Sequence, residues 1–474
     1  MYVSYLPSSV KSILSSFDSC FYAPTFENFV ALVLGWILCR GPHTISRVIV
    51  AARAFGLTAR HHSTLYRFLA EAAWCPDHVG HVVFDLLQPF LPEQVEAAVD
   101  DTLCHRTGPH LFGAGMHHDA ATSTYSGSGG RRTSFAFGHN WVVFSIHVPY
   151  PWNPQRGIAV PILFRLYRSK KLCPETLYQK RTALADELLR ILASWLSEAQ
   201  GLDLAGDGEY ACQTLLKSMP ENVVFTGPMP MDAALNEPVK ATTTKGPGRP
   251  RKKGKRLPSP AQRARCRKQW KRRKVSLYGR EVTILIQTWV CLWYTVRGTV
   301  PVRVVLTRDP RGRLKDRAFF CTDASRSAEE ILRTYCRRWK LEVAFETAKQ
   351  SLGLEDPRNG WWRRPHGQCA CQKKAGPQPR GRRGSRAVER TVPLVFAAYA
   401  FVVVWYFRYG RPEQDVARVR RRKPWYTLKE EPSFEDMIAA LRRKFWGWQI
   451  SKHPSLRPHR AKLIPLLEAA ASVA

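Results

Sequence analysis

The chain has 474 residues and 45% hydrophobic content, enough for two or three domains around a substantial core, which excludes a disordered tail. Lys and Arg outnumber Asp and Glu by 73 to 38, a formal charge of +35, so the expected partner is a polyanion: nucleic acid first, an anionic membrane surface second. The longest apolar runs, Phe29–Leu38 and Leu394–Phe407, fall short of the roughly 20 residues that span a bilayer and read as buried helices, so no membrane is expected.

Residues 1–92 read as helical. Amphipathic runs at Glu27–Cys39, Ile45–Phe55, Ser63–Trp74 and His78–Leu87 are separated by Gly, Pro or His-rich turns. The second and third could form a helix-turn-helix that reads DNA, with Arg60, His61, His62, Ser63, Tyr66 and Arg67 near the start of the second helix, or simply an α-domain pair. Met1–Phe17 lacks the basic segment and continuous apolar core of a secretion signal, so the twelve cysteines are expected as reduced thiols. Cys369 and Cys371 are not spaced Cys-x2-Cys and no second pair follows, which speaks against structural zinc.

From residue 93 to 230 the pattern changes. Strands are expected at Val95–Asp100, Phe135–Val148 and Ile158–Leu166, then a long helix Pro174–Ala199, a strand Leu202–Gly206, a short helix Tyr210–Lys217 and a strand Val223–Gly227. This is a mixed α/β layer. Asp101 ends the first strand and Asp207 the fourth, so the two carboxylates meet if those strands are neighbours.

Residues 231–325 read as an insertion. Within it, 245–274 holds fifteen Lys or Arg and no acidic residue and is expected to be exposed and mobile. Gly248–Lys252 resembles an AT-hook, whose Arg249 and Arg251 would enter a narrow A·T minor groove; a generic basic linker is the alternative. Val282–Tyr294 and Thr299–Thr307 are β-like and read as a β subdomain.

Residues 326–407 carry the most informative stretch, Tyr335–Lys349. On one helix at about 100° per residue, Tyr335, Arg338, Glu342 and Lys349 fall within roughly 60° of arc. The apolar set Leu341, Phe345, Ala348 and Leu352 lies alongside, so the polar stripe borders the buried face. Surface i,i+4 pairing of Arg338 with Glu342 is the plain alternative. Trp339 could stack on an unpaired base or simply pack. Residues 359–386 form a second basic, Pro/Gly-rich loop, Val388–Phe407 returns to a buried helix, and 408–474 is a basic tail with a short helix near Phe434–Trp446.

Two Asp at strand ends and a Glu on a helix are hard oxygen ligands suited to two Mg²⁺ or Mn²⁺ ions, which can activate a water or 3′-hydroxyl and stabilise the departing oxygen of a phosphodiester. The spacing Tyr335-x2-Arg338-x3-Glu342-x6-Lys349 resembles the Y-R-E-K signature of DDE transposases of the bacterial insertion-sequence-four type. Asp100-Asp101-Thr102 resembles their first motif and Leu204–Tyr210 their second, and Leu352–Asn359 with Arg386–Arg390 is similar to the subgroup that opens on Asp-Asp-Thr. The resemblance implies a ribonuclease-H-like catalytic core interrupted by a β-rich insertion behind an N-terminal helical domain. It implies strand cleavage and transfer at the double-stranded ends of an insertion sequence, a homodimer on paired ends, target DNA as second partner, and a bacterial cytoplasmic, nucleoid-associated location. Asp101, Asp207 and Glu342 would then hold metal, and Tyr335, Arg338 and Lys349 would contact DNA. Asp100 competes with Asp101 for the first position, because alternation lets only one point inward. Glu346 is a rival for the third.

Overall fold

The computed structural model describes residues 6–107, 111–119, 122–126, 130–239, 251–266, 269–277, 280–357 and 381–472. Helices α1 (Ser8–Leu14), α2 (Ala23–Leu38), α3 (Ile45–Ala54), α4 (His62–Ala70) and α5 (Pro76–Leu87) form the N-terminal region. The α2–α3 crossing is close at Gly35, where a Cβ would meet the Val48 carbonyl at 2.7 Å. Arg60 is turned inward, donating to the Pro24 carbonyl and to Glu27, whereas His61, His62 and Arg67 are exposed. Of the expected recognition residues, Arg60 therefore fastens the bundle.

The sheet is built from β1 (Gln94–His105), β2 (Gly115–His118), a separate small hairpin β3 (Thr124–Ser126) and β4 (Gly130–Arg132), then β5 (Phe135–Tyr150) and β6 (Asn153–Tyr167). Helix α6 (Arg181–Trp195) leads to β7 (Gly201–Gly206), α7 (Gln213–Leu216) and β8 (Val223–Met229). β5 runs antiparallel to both β1 and β6, and β1, β7 and β8 are parallel. The order β6-β5-β1-β7-β8 is that of the expected ribonuclease-H-like core, a mixed sheet with flanking helices. The expected helix from Pro174 is shorter, because Cys173 is the single buried residue between 171 and 180 and the stretch has no apolar face to dock.

After β8 come α8 (Pro260–Ala264), β9 (Lys271–Leu277), β10 (Arg280–Leu292), α9 (Tyr294–Arg297), β11 (Pro301–Arg308) and β12 (Arg317–Cys321). These strands extend the central sheet through antiparallel pairing of β12 with β8, then β11, β10 and the edge strand β9. Phe225 and Phe320 pack across that seam at 5.7 Å, and the Phe225 N–H donates to Thr322 Oγ1 at 2.8 Å. The second half of the expected exposed, mobile basic segment is folded into α8 and β9, while Lys271–Lys274 are exposed as expected. Pro260 and Ala264 are buried between the charges, and Arg263 and Arg308 lie over the rings of Trp289 and Trp270 at 4.3 and 4.2 Å.

Helices α10 (Ala328–Arg337) and α11 (Trp339–Leu352) follow, then α12 (Arg382–Tyr409), α13 (Pro412–Arg422), α14 (Phe434–Lys452) and α15 (Arg460–Ser472). At 28 residues α12 exceeds the apolar run seen in the sequence and is long and apolar enough to cross a bilayer, yet 89% of its apolar window is buried inside the fold. It is the axle of the core, touching the N-terminal helices, β6 and α14. The basic tail is likewise helical, with Phe434, Met437, Ile438, Leu441 and Phe445 buried. Ten cysteines among the described residues are free thiols; Cys369 and Cys371 lie outside them.

Candidate active site

Val99 on β1 pairs with Gly206 on β7. The condition left open by the sequence is met: the strands are parallel neighbours, and Asp100, Asp101 and Asp207 stand at one level of the sheet. Asp207 follows β7 in a turn, where its Oδ1 accepts from the N–H groups of Glu209 (2.9 Å) and Tyr210 (3.3 Å).

Pleating sends Asp100 and Asp101 to opposite faces. Asp100 is 8% exposed and faces α11, where the Arg338 guanidinium bonds both Asp100 and Glu342, the latter at 2.7 Å. Asp101 faces the start of α6: its Oδ2 accepts from Asn140 Nδ2 at 2.8 Å and from Arg181 Nη1 at 3.2 Å, and Arg181 also bonds Glu209. Glu342 thus shares a guanidinium with Asp100 and not with Asp101.

Burial pushes the Asp100 carboxyl up to about 7, against the pull of Arg338 and with the push of Asp101, Asp207 and Glu342. Asp207 is raised by burial and then by Asp101. Glu342 is raised by burial, with Arg338 opposing. The four acids crowd one another: Arg338 holds Asp100 and Glu342, Arg181 holds Asp101, and backbone N–H groups hold Asp207.

Tyr335–Lys349 is not a single helix. The Arg338 N–H bonds the Tyr335 carbonyl at 3.2 Å, an i→i−3 bond that separates α10 from α11. The turn lets the Tyr335 ring pack on Phe319 at 4.8 Å while the Arg338 guanidinium lies over it at 5.6 Å. Lys349 donates to the Leu103 carbonyl at 2.7 Å and pairs with Glu355 at 3.4 Å. Trp339 is 50% exposed. Glu346 is exposed and accepts from Gln350, one turn from the cluster. Arg251 is exposed, and Arg249 lies outside the described residues.

Residues not foreseen complete the surroundings. Arg181 and Asn140 come from distant segments with no local sequence signal, whereas Tyr210 stood inside the second motif. The Tyr210 hydroxyl is buried beside Asp101, Asp100 and Asp207 and has no hydrogen-bond partner among the described residues. Beneath the end of α11, Arg106 donates to His139 Nδ1 (3.2 Å) and to the Leu354 and Glu355 carbonyls, and His139 Nε2 donates to the Phe112 carbonyl at 2.8 Å. Burial, then Arg106, drives the His139 imidazole down to about 3.

The residues of this cluster are oxygen donors of the type that hard divalent cations take, next to a buried phenol that needs a partner. Their present spacing is wider than a coordination shell: among the described residues no three His, Cys, Asp or Glu side chains converge on a point that could hold one ion.

A family model for the DDE superfamily endonuclease matches residues 16–284, more than half of the chain. The chain belongs to the DDE superfamily endonucleases. The matched span takes in Asp100, Asp101 and Asp207 and stops before Glu342. Among solved structures, the chain is similar to a piggyBac transposase in a synaptic complex with hairpin DNA, at 10% identity and a TM-score of 0.33, over 98% of this chain and 82% of that one. No curated protein matches.

Proposed function

We propose that this DDE endonuclease is a DNA transposase that cuts and rejoins strands at the ends of an insertion sequence, acting as a homodimer on paired ends. The observation that supports the reading is the β1–β7 register, which brings Asp207 beside the Asp100–Asp101 pair, with Asp101 and Glu342 each in electrostatic reach of Asp207. Asp101, Asp207 and Glu342 are the proposed metal ligands. Two Mg²⁺ or Mn²⁺ ions bound there would supply Lewis-acid activation of the attacking and leaving oxygens. The chain's own groups do the rest. Arg338 and Lys349 present cationic donors to the phosphates beside the scissile bond, Tyr335 presents a hydroxyl, and Trp339 offers an exposed ring to a base. Arg181 and Asn140 hold the Asp101 carboxylate, and the Asp207 turn fixes the second carboxylate.

Incubating the purified protein with DNA carrying its element ends and Mg²⁺ tests this reading. Strand cleavage followed by joining of the 3′-hydroxyl end to target DNA is expected. Absence of cleavage, or cleavage indifferent to Asp207→Asn and Glu342→Gln, would refute it; cleavage without joining selects a plain nuclease.

The arginine-neutralised carboxylates and their spacing favour a second reading, a transposase-derived DNA-binding protein that no longer cuts. DNA binding that survives EDTA, together with no Mg²⁺-dependent nicking, selects it.

A further inference from the structure

The loop after α2, the end of α11 and the C-terminal helices α13 and α14 enclose an open cleft of about 770 Å³. Eight Lys or Arg and five Asp or Glu line it, so it carries excess positive charge. Its floor is built rather than incidental. Arg442 donates to the carbonyls of Ile37 (2.6 Å) and Cys39 (3.0 Å), and Arg443 bonds Asp415 and Glu468. Those pairs, with Lys429 on Asp436, fix the walls and occupy three of the five lining acidic groups.

At the rim the chemistry changes to rings beside cations. The Lys423 ammonium stands 5.7 Å from the ring centroid of the lining residue Tyr426, which is 50% exposed, and Trp425, next to Tyr426 in the chain and outside the lining, is 73% exposed. Leaving two large rings in water has an apolar cost that a purely structural loop would avoid. Cations that track a backbone next to exposed rings that stack bases are the composition of a single-strand platform. The cleft is also joined to the carboxylate cluster. Lys349 lines it and lies on α11 seven residues after Glu342, about 10 Å along the helix axis. A strand whose phosphate sits at Glu342 therefore reaches the cleft within roughly three nucleotides at about 3.4 Å each.

We infer that this cleft binds the phosphate backbone of an unpaired DNA strand flanking the cut, with a base stacked on Trp425 or Tyr426. The inference rests on the reading that DNA is the substrate at Glu342. It assigns the C-terminal helices a direct part in holding that DNA.

Lysine acetylation footprinting of the full chain in EDTA, read by mass spectrometry, tests it with two probes: a forked DNA oligonucleotide with an unpaired tail, and inorganic triphosphate. The forked DNA is expected to protect Lys423 while Lys11 stays reactive, and triphosphate is expected to protect neither. Lys423→Ala combined with Trp425→Ala is expected to weaken binding of the forked DNA about tenfold, the scale of one lost stacking contact, with a smaller effect on blunt duplex. If wild-type protein binds the fork with Lys423 as reactive as in the free chain, or if the double variant binds as tightly, the cleft proposal is overturned while the transposase reading stands. Protection by triphosphate but not by DNA assigns the cleft to a free polyphosphate and overturns the proposal too. Failure of wild-type protein to bind any DNA removes the transposase reading itself.

Discussion

The two faces of β1 treat neighbouring aspartates in opposite ways. On the α11 face, Asp100 is buried, raised to about 7 and locked to Glu342 through one guanidinium. On the α6 face, Asp101 is held by a neutral amide and by an arginine that it shares with Glu209. One residue of register separates them, and a one-residue slip in a strand exchanges faces. Motif spacing distinguishes the two poorly, and the company each keeps distinguishes them well.

The largest expected effect bears on both faces together. Asp207 lies between them and Glu342 supplies the third carboxylate, so Asp207→Asn or Glu342→Gln lowers the cleavage rate by at least about 10³-fold, as for members of a catalytic set that act as a unit. Single-turnover cleavage in Mg²⁺ measures it; a loss below tenfold in either variant breaks the common-site idea.

Comparing Asp101→Asn with Asp100→Asn sharpens the contrast most directly. With Asp101 as ligand, Asp101→Asn falls to the level of Asp207→Asn, and Asp100→Asn loses roughly tenfold, about 1.4 kcal/mol of barrier. The reverse order would give the first position to Asp100, the partner of Arg338.

A smaller effect is expected at the supports. Arg181→Ala frees Asp101 from one of its two donors and is expected to cost about 10- to 100-fold in cleavage or in the Mg²⁺ concentration required, the range of outer-shell ligand supports. Equal loss in affinity for DNA under EDTA would show instead that Arg181 acts on the nucleic acid.

The smallest effect belongs to the α11 face alone. His139 is depressed to about 3, so between its ordinary value near 6.5 and that point the unfolded chain takes up a proton that the folded chain refuses. Stability therefore rises with pH through this window and is lost as pH falls. The share assigned to His139 is about 1 kcal/mol between pH 6.5 and 5.5. Urea midpoints of wild type and His139→Asn across that range check it; parallel slopes would remove His139 as the source.

Much of the architecture was legible. The long strands at Phe135 and Ile158 and the buried helix after Val388 announce themselves through β-branched or continuous apolar residues. β12 escaped because five residues are too few to show alternation, and with it went the fact that the β-rich stretch continues the sheet. At the site, Glu342, Arg338 and Lys349 were visible in helical spacing, and the break at Arg338 was not, since its residues favour helix on both sides. Arg181 reaches Asp101 across 80 positions of sequence, a distance no periodicity can bridge. In the basic segment the charges mark the exposed residues, whereas the fold into α8 rests on the small buried Pro260 and Ala264 between them, which a count of charge does not register.

The outermost strand of the extended sheet, β9, presents Lys271, Arg272, Arg273 and Lys274 in succession, all exposed. Its outer edge offers unpaired peptide groups, a template on which a second chain could add. Four adjacent like charges make that addition self-repelling, so a second sheet edge cannot approach without its own compensating anions. The positive charge from which a polyanionic partner is expected thereby also guards a long sheet against growing into a filament.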